Sequence, residues 1–261
     1  KQKTAYEIKE CDWSSDVCSS DLNGMSLVSL SISCVDTLNY EKSIYAIKRT
    51  INTLREKTSV DHVYWYSDMK LPDTLDGVPL TNIMIDKITS QTDYSNITLK
   101  MLPIVCEYDF DLVVQWDGYA VNPEAWTDDF FDYDYIGATW DDGVVGNGGF
   151  SLRSDKLYEE MTRLDIGYKV SDFNPEVAKQ HINPNKDFDG NDFIGEDVII
   201  CRIYKELLEQ KGVKFATHQV ADRFSIENHS PVAPWTGNLN QWVGKSLGFH
   251  GKHGIRFLYN V

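Results

Sequence analysis

The sequence predicts an α/β fold: a single Rossmann-like domain whose mixed, mostly parallel sheet is flanked by helices. Three observations carry the prediction. Apolar runs of strand length recur at Leu27–Val35, Val60–Tyr66 and Leu112–Trp116, and segments with apolar residues at helical spacing lie among them. The resulting strand, helix, strand order implies parallel pairing through right-handed crossovers.

Taken in order, Leu27–Val35 alternates and is rich in Val, Ile and Ser, which reads as a first strand. Tyr40–Lys57 places Ile44, Ile47, Ile51 and Leu54 on one helical face. Val60–Tyr66 reads as a second strand that stops at Ser67-Asp68, and Asn82–Ile85 as a short third. Tyr94–Val105 predicts a helix with Ile97, Leu99, Met101 and Ile104 as its apolar content. The strand Leu112–Trp116 then runs into Asp117-Gly118. Gly149–Arg153 reads as a strand, Asp155–Leu164 as a helix, and the Asn-, Asp- and Pro-rich Asp172–Asp192 as a long loop. Glu196–Gln210 is a strongly apolar-faced helix that Gly212 follows.

The first residues stand apart. Lys1–Ile8 back-translates as a sequencing flow-cell primer, and Asp12–Leu22 as the matching read-primer adapter, in frame and in order. We therefore read 1–22 as a translated library adapter with no fold of its own, and 23–261 as one domain, with Met25 a candidate start. Of the 25 basic and 40 acidic residues, three lysines and five acids lie in that segment, which leaves a net charge of −13. Such a surface repels polyanions, so nucleic acid is not an expected partner. No run of about 18 apolar residues exists to span a membrane, and Met25 opens no signal peptide, so the expected location is cytoplasmic. Cys34, Cys106 and Cys201 lie in apolar runs and read as buried thiols of a reducing compartment.

Chemistry concentrates in the middle of the chain. Between Glu107 and Asp155 stand twelve acids and one base, Arg153. A phosphorylated substrate could bind there only through a divalent cation, Mg²⁺ or Mn²⁺, bridging carboxylate and phosphate oxygens. Asp117, at the carboxyl end of its strand, is where open α/β sheets meet ligands, although Asp-Gly is also good turn chemistry. Gly146-Asn147-Gly148-Gly149 lets backbone amides approach a ligand, or simply makes a hairpin turn. Glu196-Asp197 opens a helix, where acids either complement the macrodipole or hold a general base in place. His250, in a glycine-flanked aromatic loop with His253 beyond it, is structural or a ligand of Mn²⁺. Trp116, Trp126, Trp140 and Trp235 pack in a core or stack on a sugar ring.

Together Gln115-Trp116-Asp117-Gly118, Asp134 to Trp140, Gly146 to Ser154 and Gly195-Glu196-Asp197-Val198 resemble a glycosyltransferase-like family catalogued as domain of unknown function 5672. Arg223 to Glu227 and Gly248 to Gly251 extend the likeness. The family is similar to the GT-A superfamily of nucleotide-sugar glycosyltransferases. That resemblance implies a GT-A-like fold and a metal held by Asp117 and His250, Gln115 standing where the superfamily has the first acid of Asp-x-Asp. It implies Asp197 as catalytic base with Glu196 beside it, and substrate contacts from Gln115, Trp116, Gly118, Trp140, Asn147, Gly148, Gly149 and Arg153. The nucleotide would lie at Val35, Asp36, Thr37 and Asp68. The implied reaction moves a sugar from a nucleotide-sugar donor to a hydroxyl of a carbohydrate or glycolipid acceptor, with inversion, in surface polysaccharide or glycoconjugate synthesis with peripheral membrane contact. The rivals are a nucleotidyltransferase or another metal-dependent nucleotide enzyme, and a non-catalytic carbohydrate-binding protein on the same fold.

Overall fold

The computed structural model describes residues 28–227 and 245–251. The adapter-like segment 1–22, Met25, Trp235 and His253 lie outside the described residues. The first strand, β1 (Leu30–Val35), is buried along its whole length, as a central parallel strand must be. Helix α1 (Tyr40–Leu54) follows and covers it through Ala46, Ile47, Ile51 and Leu54. Strand β2 (His62–Ser67) pairs with β1 in parallel, Ile32 opposite Val63. Next comes a tight hairpin of β3 (Thr74–Leu75) and β4 (Val78–Met84). Its two-residue loop is Asp76-Gly77, both at positive φ (49° and 86°), the backbone that Asp-Gly readily supplies.

The third strand thus starts four residues before the expected Asn82. Pro79 hides its beginning from a pattern search, because proline is tolerated only near a strand's start or edge. The expected helix at 94–105 begins earlier too. It comprises α2 (Gln91–Asn96), a π-helical turn (Ile97–Met101) and α3 (Leu102–Val105), with the Ser90 hydroxyl capping its start by accepting Asp93 N at 3.0 Å.

Strand β5 (Phe110–Val114) pairs with β1 in parallel and is followed at once by β6 (Gly118–Ala120). Strands β7 (Tyr135–Ile136) and β8 (Phe150–Ser154) complete a seven-stranded sheet of order β3-β4-β2-β1-β5-β8-β7. Its middle strands β4, β2, β1 and β5 are parallel, and β8 runs antiparallel between β5 and β7. Helix α4 (Asp155–Arg163) follows β8 directly, with the Ser154 hydroxyl accepting Leu157 N at 3.1 Å.

The segment expected to be a loop at 172–192 contains a helix, α5 (Pro175–His181). Asn174 caps it by accepting Glu176 N at 2.9 Å, and Pro175 sits at its first position. The Asn-Pro pair that reads as a turn signal is equally a helix start. The expected helix at 196–210 is α6 (Glu196–Val198), a π-helical turn (Ile199–Ile203) and α7 (Lys205–Gln210). Helix α8 (His218–Phe224) leads into β9 (Ser225–Ile226), and β10 (Gly248–His250) joins β9 and β6 in a second, three-stranded sheet.

The core runs along both faces of the large sheet. Ile32, Trp65, Leu112 and Leu152 are fully buried, and each such side chain contributes about 1.5–3 kcal/mol. Cys34, Cys106 and Cys201 are buried free thiols. Asp111 on β5 is fully buried in this core and accepts hydrogen bonds from Ser31 Oγ and Tyr158 OH, both at 2.8 Å. Among the described residues no helix is long and apolar enough to cross a membrane.

Candidate active site

Strand β5 ends one residue before Gln115, whose N–H and C=O exchange hydrogen bonds with Gly118 at 2.9 and 3.0 Å. Trp116 and Asp117 therefore occupy a two-residue hairpin turn. The turn reading and the ligand-facing reading of Asp117 hold together. Antiparallel pairing of β10 with β6 sets His250 opposite Gly118, and Gly251 N donates to Asp117 O at 2.8 Å. Two segments more than 130 residues apart in sequence are thereby joined at one point. His250 Nε2 lies 3.8 Å from Asp117 Oδ1 and 3.2 Å from Gln115 Oε1. The Gln115 amide nitrogen donates to the hydroxyl of Tyr94 on α2, so that its oxygen faces the histidine. On the far side of the ring, Nδ1 lies 3.7 Å from Glu227 Oε1. Burial alone would lower the imidazole's pKa, but Glu227, Asp117 and Asp197 outweigh it and the net shift is upward.

The glycine loop brings in the second group of acids. Gly148 N donates to Asp197 Oδ2 at 3.1 Å, and Val198 N donates to Asp197 Oδ1 at 2.8 Å. Glu196, beside it, pairs at 3.2 Å with Arg153, which rises from β8 and is fully buried. The loop passes so close that only glycine fits. A Cβ on Gly148 would stand 2.1 Å from Glu196 Oε1, and one on Gly149 2.1 Å from the His250 ring. Asn147 is buried and its side-chain oxygen accepts Gly149 N at 3.3 Å, which bends the loop into this path. Burial and the neighbouring Asp197 push Glu196 up to about 7 against the pull of Arg153. Burial also raises Asp197, with the Gly148 and Val198 amides opposing it.

These groups open on a cleft of about 1310 Å³ at the carboxyl ends of β1 and β5. Asp117, Gln115, Trp116, Glu196, Asp197 and His250 all line it, as do Gly149, Val35, Asp36 and Thr37. The side chains at the end of β1 are already engaged, however. Asp36 accepts Leu38 N at 2.7 Å, Asn39 N at 2.9 Å and the Ser43 hydroxyl, and so holds the start of α1. Thr37 Oγ1 accepts Ile88 N at 2.9 Å. Asp68 faces a smaller neighbouring cleft and accepts the Tyr40 hydroxyl at 2.7 Å. Arg153 and Gly148 stand behind the lining, Gly118 forms the hairpin floor, and Trp140 covers Gly146 while Arg202 stacks on it at 4.4 Å. Trp126 packs among Phe130 and Phe131.

A model of the family described as "Protein of unknown function (DUF5672)" matches residues 80–249. The chain belongs to that family. The fold of this DUF5672 member is similar to that of solved glycosyltransferases. An active-site mutant of LgtC is 14% identical over 84% of this chain and 86% of its own, with a TM-score of 0.50. The galactosyltransferase LgtC in complex with donor and acceptor sugar analogues is 15% identical over the same shares, at 0.47. The apo form of glycosyltransferase GlyE from Streptococcus pneumoniae TIGR4 is 14% identical over 73% of this chain and 46% of its own, at 0.44. The DUF5672 chain thus has a GT-A-like fold. No curated protein matches it.

Several strings that carry the family resemblance converge in space: the hairpin, the glycine loop, the Glu196-Asp197 helix start and His250 meet at one cleft, with Glu227 behind the His250 ring. Pattern reading left out Tyr94, Lys42 and Phe188 and gave Glu227 no role. Tyr94, Lys42 and Phe188 are distant in sequence from the residues they serve and lie in no motif, whereas Glu227 ends a motif string whose chemistry only its contact with His250 reveals. Among the described residues no set of three or more His, Cys, Asp or Glu side chains forms a cation cage. A smaller donor set does fit. Asp117 Oδ1 and Gln115 Oε1 lie within 4 Å of His250 Nε2, a spacing that donors about 2.0–2.2 Å from one shared cation can have.

Proposed function

We propose that this DUF5672 chain is a glycosyltransferase that moves a sugar from a nucleotide-sugar donor to a hydroxyl of an acceptor. The observation that carries the reading is the shared cleft, whose lining brings together Asp197, held by two backbone amides, and the Asp117–His250 pair. Asp197 lines the cleft with an orientation fixed by those amides and a raised proton affinity, properties that suit a general base for a hydroxyl nucleophile. Asp117, His250 and the Gln115 carbonyl would hold a divalent cation. Such an ion, when bound, supplies positive charge for a departing diphosphate. Lys42 is the only Lys or Arg among the described lining residues, and its ammonium lies 4.8 Å over the Trp116 ring, beside Asp117. In the proposed reaction Asp197 deprotonates the acceptor hydroxyl for in-line attack on the sugar, with inversion.

The test is Asp197→Asn, which keeps the shape of the side chain and removes the base. Transfer should fall by at least about a hundredfold with the fold intact by circular dichroism. Because the base must be ionised, wild-type kcat/KM should rise with pH through a value above that of an ordinary aspartate. Near-wild-type turnover in the variant would sink the assignment. Gln115, standing in place of an acid, also supports a second reading, a carbohydrate-binding protein without turnover. Nucleoside diphosphate binding without release of product across a donor panel would favour it.

A further inference from the structure

Seven large apolar side chains are exposed among the described residues, and three of them, Leu38, Tyr45 and Phe188, line the catalytic cleft. Isolated apolar surface residues are ordinary, but a cluster about one cavity marks a binding surface. Phe188 is 70% exposed and Tyr45 48%, whereas Asp117 and Glu196 at the floor are buried. The two aromatics therefore stand at the mouth.

Phe188 does not owe its exposure to a loose loop. Its turn is closed by Gly190 N donating to Asp187 O at 2.9 Å and Asp187 N to Asn191 O at 3.0 Å. The buried Asp187 carboxylate accepts Gln91 N at 2.7 Å and Thr92 N at 3.3 Å, which rivets the turn to α2. The ring is thus held out over the cleft by a built anchor. On the other wall, Tyr45 projects from α1 with its ring edge-on to Tyr119 at 5.9 Å. Between these walls the lining is acidic: Asp36, Glu41, Asp117 and Asp197 stand against Lys42 and His250, while Glu196 is paired from behind with Arg153.

Resting on the glycosyltransferase reading, we propose that Phe188 and Tyr45 form the acceptor platform of the cleft, and that the acceptor is an uncharged glycan. A pyranose presents an apolar face of C–H groups that packs on an aromatic ring, while its hydroxyls reach the acids below. A uronic or sialic acid would bring its carboxylate against the acidic floor and be repelled. The exposure gradient separates the partners, with the donor at the buried floor and the acceptor at the mouth.

The experiment has two arms, each run on wild type, Phe188→Ala, Phe188→Trp and Tyr45→Ala, with melting temperature as a check on folding. In the first arm, hydrolysis of nucleotide sugars is followed without acceptor. In the second, a printed array of neutral and acidic glycans is probed in the presence of nucleoside diphosphate. The expected result is that all four proteins hydrolyse donor at equal rates, that wild type selects neutral glycans, that Phe188→Ala and Tyr45→Ala each lose about tenfold in glycan affinity, and that Phe188→Trp retains it. Selection of acidic glycans, glycan binding unchanged in both alanine variants, or an array without hits overturns the platform. A loss that falls on donor hydrolysis instead overturns the acceptor assignment. Failure of wild type to hydrolyse or bind any nucleotide sugar overturns the glycosyltransferase reading itself.

Discussion

Asp117, Asp197 and His250 are ordinary residue types, and the protein makes a candidate site of them by fixing what surrounds each one. The glycines are part of that fixing. Gly149 leaves room for the His250 ring, and a methyl group there meets the ring at 2.1 Å. Gly149→Ala should therefore displace His250, with a stability loss of about 1–3 kcal/mol and loss of most activity. Denaturant unfolding and a donor-hydrolysis assay check the two parts. Arg153 is fully buried on β8. Its guanidinium neutralises Glu196 inside the protein. Arg153→Met leaves that carboxylate buried without a partner, and the expected cost is about 3–5 kcal/mol by urea denaturation. Adding Glu196→Gln to Arg153→Met should recover part of the loss, because the orphaned charge is gone.

At the scale of elements, the strands β1, β2 and β5 were legible because a parallel strand buried on both faces reads as an apolar run wherever it occurs. The helices beginning at Gln91 and at Glu196 were legible as helices but not in detail. Each contains a π-helical turn, at Ile97–Met101 and Ile199–Ile203, and a window tuned to 3.6 residues per turn passes over the extra residue. Helix α5 was hidden because Asn174 and Pro175 serve a turn and a helix start equally well. The site followed the same division. Motif residues such as Gly148 and Asp197 were readable, whereas Tyr94, which orients Gln115, and Phe188 depend on tertiary placement alone. The buried Asp111 of β5 supplies a test at this scale. Burial raises its pKa despite the hydrogen bonds from Tyr158 and Ser31. A carboxyl that holds its proton more tightly folded than unfolded stabilises most below its unfolded pKa, and that contribution declines as pH rises through the folded value. The stability of wild type relative to Asp111→Asn should accordingly fall as pH is raised from about 4 toward neutrality, as read from melting temperatures across that range. A difference independent of pH would contradict the assignment.

At the scale of the molecule, the two sheets have separate tasks. The seven-stranded sheet carries β5 and the loop leading into β8 to one edge of the cleft. The three-stranded sheet brings His250 and Glu227 back to them. The cleft that results is acidic, open and rimmed by aromatics, which suits a saccharide with a cation beneath the donor's phosphates. The most direct test of this account is incubation of the protein with a panel of nucleotide sugars in the presence of Mn²⁺, with the released nucleotide identified by chromatography. The account expects nucleoside diphosphate from at least one donor, with release abolished in Asp117→Ala. Release of pyrophosphate instead, or donor turnover undiminished in Asp117→Ala, would contradict it.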